Sequence, residues 1–337
     1  MPKTIIFRAD GNSKTGLGHL YRLFSLVEIV KDAFDLVFLT NETSTTSVIP
    51  DAYNKLIIPK TISIEDEPQW LATKFLSEEN IIIADGYQFN SQYQKQLKEL
   101  HFTLIYIDDL AKEHMYADLV INHSPYIKEE HFIKQPYTNL ALGTQYALLR
   151  PLFLEEAKKP KTISKIDTAF VCFGGADPYD LSFKSVKALL EKTDFKLIHV
   201  VLGAAYQHQD IYDLKHTFSH NIHIHKNLSE QNLVEVMQKS NFAIVPASTI
   251  LYEICCVKMP VLSGFYIDNQ ELICKGFLRN GAIYQGGNMI DYTVSDFVKH
   301  IDAILKEQNF NHVIQAQNEL FDDKIASRHL NLISELC

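Results

Sequence analysis

No apolar run in this chain approaches the roughly 18 residues that a membrane-spanning helix needs, so no span is expected. Cysteine is scarce. There are five, at Cys172, Cys255, Cys256, Cys274 and Cys337, an odd number with no C-x-x-C pair. That argues against a disulfide framework or a zinc site and fits buried thiols in a reducing compartment, so a cytoplasmic protein is expected. Positive charge is also in short supply, with 32 Lys and Arg against 41 Asp and Glu and a net charge of -9. Without a basic stripe, nucleic acid is not an expected partner. A bound anion would have to be held by local loops and helix ends. The opening MPKTIIFRAD has one Lys and a very short apolar run, and does not read as a signal peptide. Internal repeats and low-complexity tracts are lacking too.

What is there is an ordinary globular composition, 46% hydrophobic and 22% charged. The 337 residues exceed one typical core and suggest two domains. Short apolar runs alternate with helical spacing. Strands are expected at 4–7, 36–40, 80–84, 103–107 and 119–122, then at 168–173, 196–202, 221–225, 242–246 and 260–265. Continuous apolar strands bounded by turn residues belong to a sheet buried on both faces. Between them lie helical patterns such as 229–239, with Ser229 as an N-cap. The class is therefore α/β with largely parallel sheets. The run 153–166, FLEEAKKPKTISKI, is charged, contains Pro160 and lacks buried periodicity. It reads as a linker between a domain at 1–152 and a second at 167–337, whose last segment, 311–336, has helical spacing. Each domain would be doubly wound, with ligands at the carboxyl ends of its strands.

Four loops at expected strand ends can carry chemistry. In the first, Gly16-Leu17-Gly18-His19 turns a strand into a helix. Glycines let the backbone approach a ligand, and the helix end offers free N–H groups. The pattern is not G-x-G-x-x-G, and no acidic residue clearly ends the second strand, so a dinucleotide fold is not indicated. His19 at a helix N-terminus is disfavoured as a cation, and a neutral imidazole can act as a general base. Its structural alternative is a cap or a packed ring. The second loop, Phe173-Gly174-Gly175-Ala176-Asp177-Pro178, permits close approach to a phosphate or sugar, unless Asp177 or Asp180 simply caps the next helix. In the third, Pro246-Ala247-Ser248-Thr249, the Ser and Thr open a helix whose end could hold a diphosphate, with Glu253 one turn on; ordinary caps are the alternative. The fourth is Asp268-Asn269-Gln270, polar and at a strand end, with an N-cap as the competing role.

Other features read as structural. His223 and His225 share a strand face without an acidic third ligand, so zinc is not expected. Cys255-Cys256 sits inside a helix and packs. Asp108-Asp109 ends a strand, where acid–base work or Mg²⁺ competes with a cap or loop contact. Asp85-Gly86-Tyr87 ends another, where Tyr87 could face a ligand.

Taken in order, R-A-D-x-x-x-x-x-G-x-G-H-x-x-R, I-D-D-L-A, A-L-G-T-Q-Y-A-L-L-R-P, F-G-G-A-D-P and D-N-Q resemble one family. It is the nucleotide-sugar hydrolase family of pseudaminic acid biosynthesis, and the resemblance runs from about residue 5 to about residue 285. It implies a GT-B fold of two Rossmann-like domains facing a cleft, similar to the glycosyltransferase that adds N-acetylglucosamine in peptidoglycan synthesis. It implies hydrolysis of UDP-2,4-diacetamido-2,4,6-trideoxy-β-L-altropyranose to UDP and free sugar, without metal or cofactor. The family's catalytic histidine maps onto His19. The family's substrate-positioning tyrosine and asparagine map onto Tyr87 and Asn269, and Gly16, Gly18, Arg22, Gly174, Gly175 and Asp177 are expected to position substrate with them. Ser248, Thr249 and Glu253 map to UDP binding. One departure stands out. Family members usually carry a Gly-Gly-Ser/Thr run where this chain has Pro246-Ala247-Ser248-Thr249, which is stiffer and bulkier.

The expected mechanism is a single displacement. His19 takes a proton from a water that attacks the anomeric carbon, UDP leaves with its oxygen, and C1 inverts. A GT-B glycosyltransferase with a UDP-sugar donor, a hydrolysing UDP-sugar 2-epimerase, and a catalytically dead sensor are the alternatives, since fold does not fix function. A UDP-sugar is the expected small-molecule partner, and a monomer the expected state.

Overall fold

The computed structural model describes residues 3–12, 16–307 and 309–337. Ser13, Lys14 and Thr15 of the opening glycine-rich loop lie outside the described residues. The chain divides into two units. One is Met1–Pro151 together with Lys324–Cys337, and the other is Leu152–Asp323.

The first unit opens with β1 (Thr4–Ala9), α1 (Gly18–Val30), β2 (Leu36–Asn41) and β3 (Lys55–Ile58). It continues with α2 (Glu67–Ala72), β4 (Asn80–Asp85), α3 (Ser91–Glu99) and β5 (Thr103–Ile107). A two-residue ribbon pairs β6 (His114–Met115) with β8 (Ile133–Lys134), around β7 (Leu119–Asn122) and before β9 (Asn139–Leu142). The main sheet has the order β3-β2-β1-β4-β5-β7-β9, and all its pairs are parallel. Successive side chains leave a strand on opposite faces. Hence Ile81 and Ile83 pack with Leu20, Leu23 and Val27 of α1, whereas Ile82 and Ala84 pack with Tyr93 and Leu97 of α3. The apolar residues of α1 recur at the three- and four-residue steps that give a helix one buried face.

The second unit begins at α4 (Pro151–Ala157), whose first residue closes the first unit, and runs through β10 (Thr168–Val171), α5 (Leu181–Leu190), β11 (Leu197–Leu202), α6 (Asp210–Thr217) and β12 (Ile222–Lys226). Then come α7 (Glu230–Gln238), β13 (Phe242–Pro246), α8 (Thr249–Val257), β14 (Val261–Phe265) and α9 (Asp268–Arg279). Last are β15 (Tyr284–Asn288), α10 (Val294–Leu305) and α11 (Asn311–Leu320). Its sheet is also parallel, in the order β12-β11-β10-β13-β14-β15. Both sheets are doubly wound, and strand order reverses between β1 and β4 in one and between β10 and β13 in the other. Such reversal points open a crevice at the carboxyl ends of the strands.

Each strand expected from sequence has its counterpart, and Ser229 caps α7 by accepting from the Asn232 amide at 3.2 Å. Five further strands occupy positions the pattern did not mark, two of them the two-residue strands β6 and β8. The edge strand β15 reads YQGGN, with almost no β-forming side chains, and β3 and β9 are only four residues each. The domain limits also differ from expectation. The 153–166 run is not a linker. Phe153, Leu154, Ile163 and Ile166 are buried, and the Lys258 ammonium donates to the Ala157 carbonyl at 2.6 Å. Most of its charges, Glu155, Lys158, Lys159 and Lys165, are exposed, whereas Glu156 is buried and accepts from the Gln238 side chain at 2.9 Å. The helical segment at 311–336 breaks after α11, and α12 (Ile325–Ser334) belongs to the first unit, where Ile333 is fully buried. An apolar helix face does not say which of two cores it covers.

Burial in the first unit extends to two imidazoles. His329 of α12 is fully buried, with Nε2 3.4 Å from the Ala147 carbonyl and Nδ1 without a hydrogen-bond partner. His123 accepts from the Leu148 amide at 3.2 Å. Burial lowers each to about 4, assisted at His123 by the Arg22 charge. Unfolded imidazoles titrate near ~6.5. Between those values the unfolded chain binds protons that the folded chain refuses. Stability is therefore full above about pH 6.5 and falls as pH drops towards 4. Urea midpoints from pH 7.5 to 4.5 should decline through that window, and a flat profile would contradict the burial of these rings as neutral species.

Candidate active site

His19 is the second residue of α1, and the pairing of β1 with β4, Ala9 beside Asp85, brings it to Asp85, the last residue of that strand. The His19 Nδ1 lies 2.7 Å from Asp85 Oδ1. Arg22, one turn further along α1, shares its face with His19. Its Nε and Nη2 donate to the two Asp85 oxygens at 2.7 and 2.5 Å. Its Nη1 and Nη2 donate to the two Asp109 oxygens at 2.5 and 3.2 Å. Asp109 follows β5, the next strand in the sheet. One guanidinium thus bridges two carboxylates at the ends of adjacent strands, a match to its planar fork. The Tyr87 hydroxyl donates to Asp109 Oδ2 at 3.1 Å, and its half-exposed ring meets the His19 ring edge-on, 5.0 Å between centroids.

The hydrogen bonds assign the tautomer. Asp85 accepts only, so the short contact requires a proton on His19 Nδ1 and leaves Nε2 as the basic nitrogen. The Arg22 nitrogen 3.3 Å from Nδ1 is already engaged by carboxylate oxygens. Burial by itself would raise the Asp109 carboxyl; the Arg22 charge and its hydrogen bonds outweigh that and hold it at about 2. Asp85 is fully buried and the His19 side chain is about one-fifth exposed, so the imidazole is reachable while its partner is not. Gly16 has φ +84, a conformation that favours glycine. Any side chain at Gly18 would project into open space at the start of α1, which leaves room for a ligand beside the helix end.

In the second unit the named residues gather at the carboxyl ends of β10, β13 and β14, three neighbours in one sheet. Gly174 (φ +77) and Gly175 form an exposed turn after β10, held from the side by the Tyr266 hydroxyl donating to the Phe173 carbonyl at 2.9 Å. Asp177 takes the structural alternative. Its two carboxylate oxygens accept from the Leu181 and Ser182 amides at 2.9 and 2.8 Å, capping α5, and it is buried. At α8 no such capping bond forms. Ser248 occupies the N-cap without a side-chain capping bond, and Thr249 is exposed in the first turn. Glu253, four residues on, is buried in the same helix. Asn269 is half-buried in the first turn of α9, where Gln270 rather than Asp268 or Asn269 accepts from the Tyr266 amide. Pro246 ends β13 and Ala247 donates to the Gly264 carbonyl at 2.7 Å. Both are buried, so their bulk lies beneath the exposed start of α8.

Sequence reasoning passed over Asp85 and Asp109 as partners of His19. A signal existed, since Asp85 closes β4 at the reversal in strand order and Asp109 follows β5, the next strand in the sheet. Asp108, by contrast, makes the loop contacts expected of it, accepting from the Ala111 amide and the Asn122 side chain at 2.8 Å each. His225 Nε2 lies 3.0 Å from Nδ1 of buried His199. Among the described residues no three His, Cys, Asp or Glu side chains converge as a metal site.

With this geometry, comparison with known proteins is informative. The fold is GT-B-like. MurG of Acinetobacter baumannii superimposes with a TM-score of 0.69 at 10% identity, covering 99% of this chain and 100% of that one. No family model matches the sequence. The chain is 26% identical over 282 residues to the UDP-2,4-diacetamido-2,4,6-trideoxy-β-L-altropyranose hydrolase of Campylobacter jejuni, covering 82% of this chain and 97% of that one. It is 27% identical over 282 residues to an uncharacterised protein of Methanocaldococcus jannaschii, a match spanning 80% of this chain but only 57% of that longer protein.

The bridge predicts a large cost for its loss. Arg22→Gln leaves two buried carboxylates facing each other, and a broken buried pair costs about 3 kcal/mol or more. Urea unfolding at pH 7 measures it. Because the Asp109 carboxyl is held down, its share of stability is present above an unfolded value of ~3.9 and lost as pH falls through about 2. The variant should lose that acid resistance too. A loss below about 1 kcal/mol would show that water already screens the carboxylates.

Proposed function

We propose that this chain hydrolyses a UDP-linked sugar, with UDP-2,4-diacetamido-2,4,6-trideoxy-β-L-altropyranose as the substrate and pseudaminic acid biosynthesis as the setting. The observation that carries the reading is the His19–Asp85 pair. It is a partly exposed imidazole with a fixed tautomer at the reversal point of a doubly wound sheet. The likeness to the Campylobacter hydrolase along nearly all of that protein supports the substrate.

In this mechanism His19 Nε2 accepts a proton from water as the water oxygen bonds to C1. The C1–O bond to the diphosphate breaks, and UDP departs with that oxygen and the bonding electrons. Asp85 holds the ring and faces the charge it gains. Asp85, Asp109 and Arg22 sum to one negative charge, so an imidazolium brings the group to neutrality. UDP is a good leaving group, and its charge needs stabilising more than protonating. The start of α8, where Ser248 makes no side-chain cap bond and Thr249 is exposed, and the exposed turn at Gly174-Gly175 are assigned to the diphosphate, which helix N-termini bind through their N–H groups. Glu253 is assigned to the ribose, and Tyr87 and Asn269 to the sugar and water. No metal is required by this scheme.

Incubation in ¹⁸O-water with EDTA present should put the label in the sugar, leave UDP unlabelled and give the inverted anomer. Label in UDP would exclude attack at C1. Release that depends on an acceptor would indicate a transferase, and solvent deuterium at C2 a 2-epimerase. His19→Ala should lower kcat roughly 10²–10⁴-fold with folding unchanged. A drop under about tenfold removes His19 as the base.

A further inference from the structure

His19 is one member of a five-residue chain, in which Asp109 makes no hydrogen bond to the ring. From Tyr87 the hydrogen bonds run to Asp109, through Arg22 to Asp85, and on to His19. Arg22 divides one positive charge between two carboxylates. What it gives to Asp109 it does not give to Asp85. We infer that Asp109 is a positioning residue that sets the proton affinity of His19 by its charge, both directly and through Arg22, without touching the ring or the substrate.

The surroundings support a through-charge role. Both carboxylates and the guanidinium are largely withdrawn from water, so their interactions are weakly screened. The groups that face His19 are few. Arg22 comes from its own helix, Asp85 from the end of β4, Tyr87 from the loop that follows and Asp109 from the loop after β5. His123, beyond β7, interacts with Asp109 and Arg22 and stays neutral because it is buried. Asp109 is therefore a charge that can be removed without breaking the His19–Asp85 hydrogen bond. Without it, Arg22 would fall wholly on Asp85, and the cluster facing His19 would change from one net negative charge to none. The imidazolium would lose its attraction, and the base would weaken.

Asp109→Asn tests this, because asparagine keeps the shape and an acceptor but drops the charge. The midpoint of His19 is read from its ring Cε1–H signal by NMR on the full chain. The signal is assigned by its loss in His19→Ala. In Asp109→Asn the midpoint should fall by roughly one pH unit. Asp109→Glu, which keeps the charge, should stay within about 0.3 unit of the parent. The acid limb of kcat/KM for the UDP-sugar should move with the NMR midpoint. An unmoved midpoint in a folded Asp109→Asn protein overturns the inference, as does an equal fall in Asp109→Glu, which would mean that shape rather than charge matters.

The catalytic meaning rests on the reading of His19 as the base, but the titration does not. A shifted midpoint in a chain that fails to hydrolyse UDP-sugars would leave the coupling standing and remove the function. Hydrolysis with an unmoved midpoint would do the opposite.

Discussion

Two carboxylates at the ends of neighbouring parallel strands repel each other, and their burial makes that repulsion severe. In this protein Asp85 and Asp109 coexist because the Arg22 guanidinium forms paired hydrogen bonds to each. The rest of the first unit's chemistry depends on that bridge. It leaves Asp85 available to orient His19, and it anchors Asp109, which in turn receives the Tyr87 hydroxyl. The bridge depends on the core. Leu20, Leu23 and Val27 fix the rotation of α1 against the sheet, and that rotation aims His19 and Arg22, three residues apart, at the same strand ends. Packing, not local sequence, delivers the imidazole to its carboxylate.

The two units repeat one plan but use it differently. Each places its candidate groups where strand order reverses. In the first unit they are side chains carrying charge and protons. In the second they are chiefly backbone, with an exposed glycine turn at Gly174-Gly175 and a helix start where the Ser248 side chain makes no capping bond. A basic side chain is not needed to hold a diphosphate where helix N–H groups point outward, which suits a chain with an excess of acid. The proline and alanine that distinguish the α8 loop are buried beneath it, in the packing at the end of β13, and leave Thr249 exposed.

Much of the fold was legible because a parallel sheet buried on both faces writes itself as continuous apolar runs. The strands β1, β4, β5, β10 and β13 are such runs. The edge strand β15 was not legible, since YQGGN has little apolar surface to hide and is held by its neighbour's hydrogen bonds. Likewise the charges of 153–166 disguised a segment whose Phe153, Leu154, Ile163 and Ile166 are buried. Among the candidate site residues, His19 and Tyr87 were read singly, without the contact that joins them. Asp177 could be read as ligand or cap, and only its two amide contacts decide for the cap.

The sequence by itself determined the α/β class, the alternation of strands and helices, and the loops that end them, because hydrophobic period, glycine and capping residues act over a few positions. It determined His19 as a candidate base by its place at a helix start. Only the tertiary structure decided that Asp85 and Asp109, 66 and 90 positions further along the chain, stand beside it, and that α12 returns to the first core rather than the second. The physical reason is the same for both. Strand order in a parallel sheet and the choice of core for an apolar helix are settled by global packing, and no local pattern records which distant neighbours that packing selects.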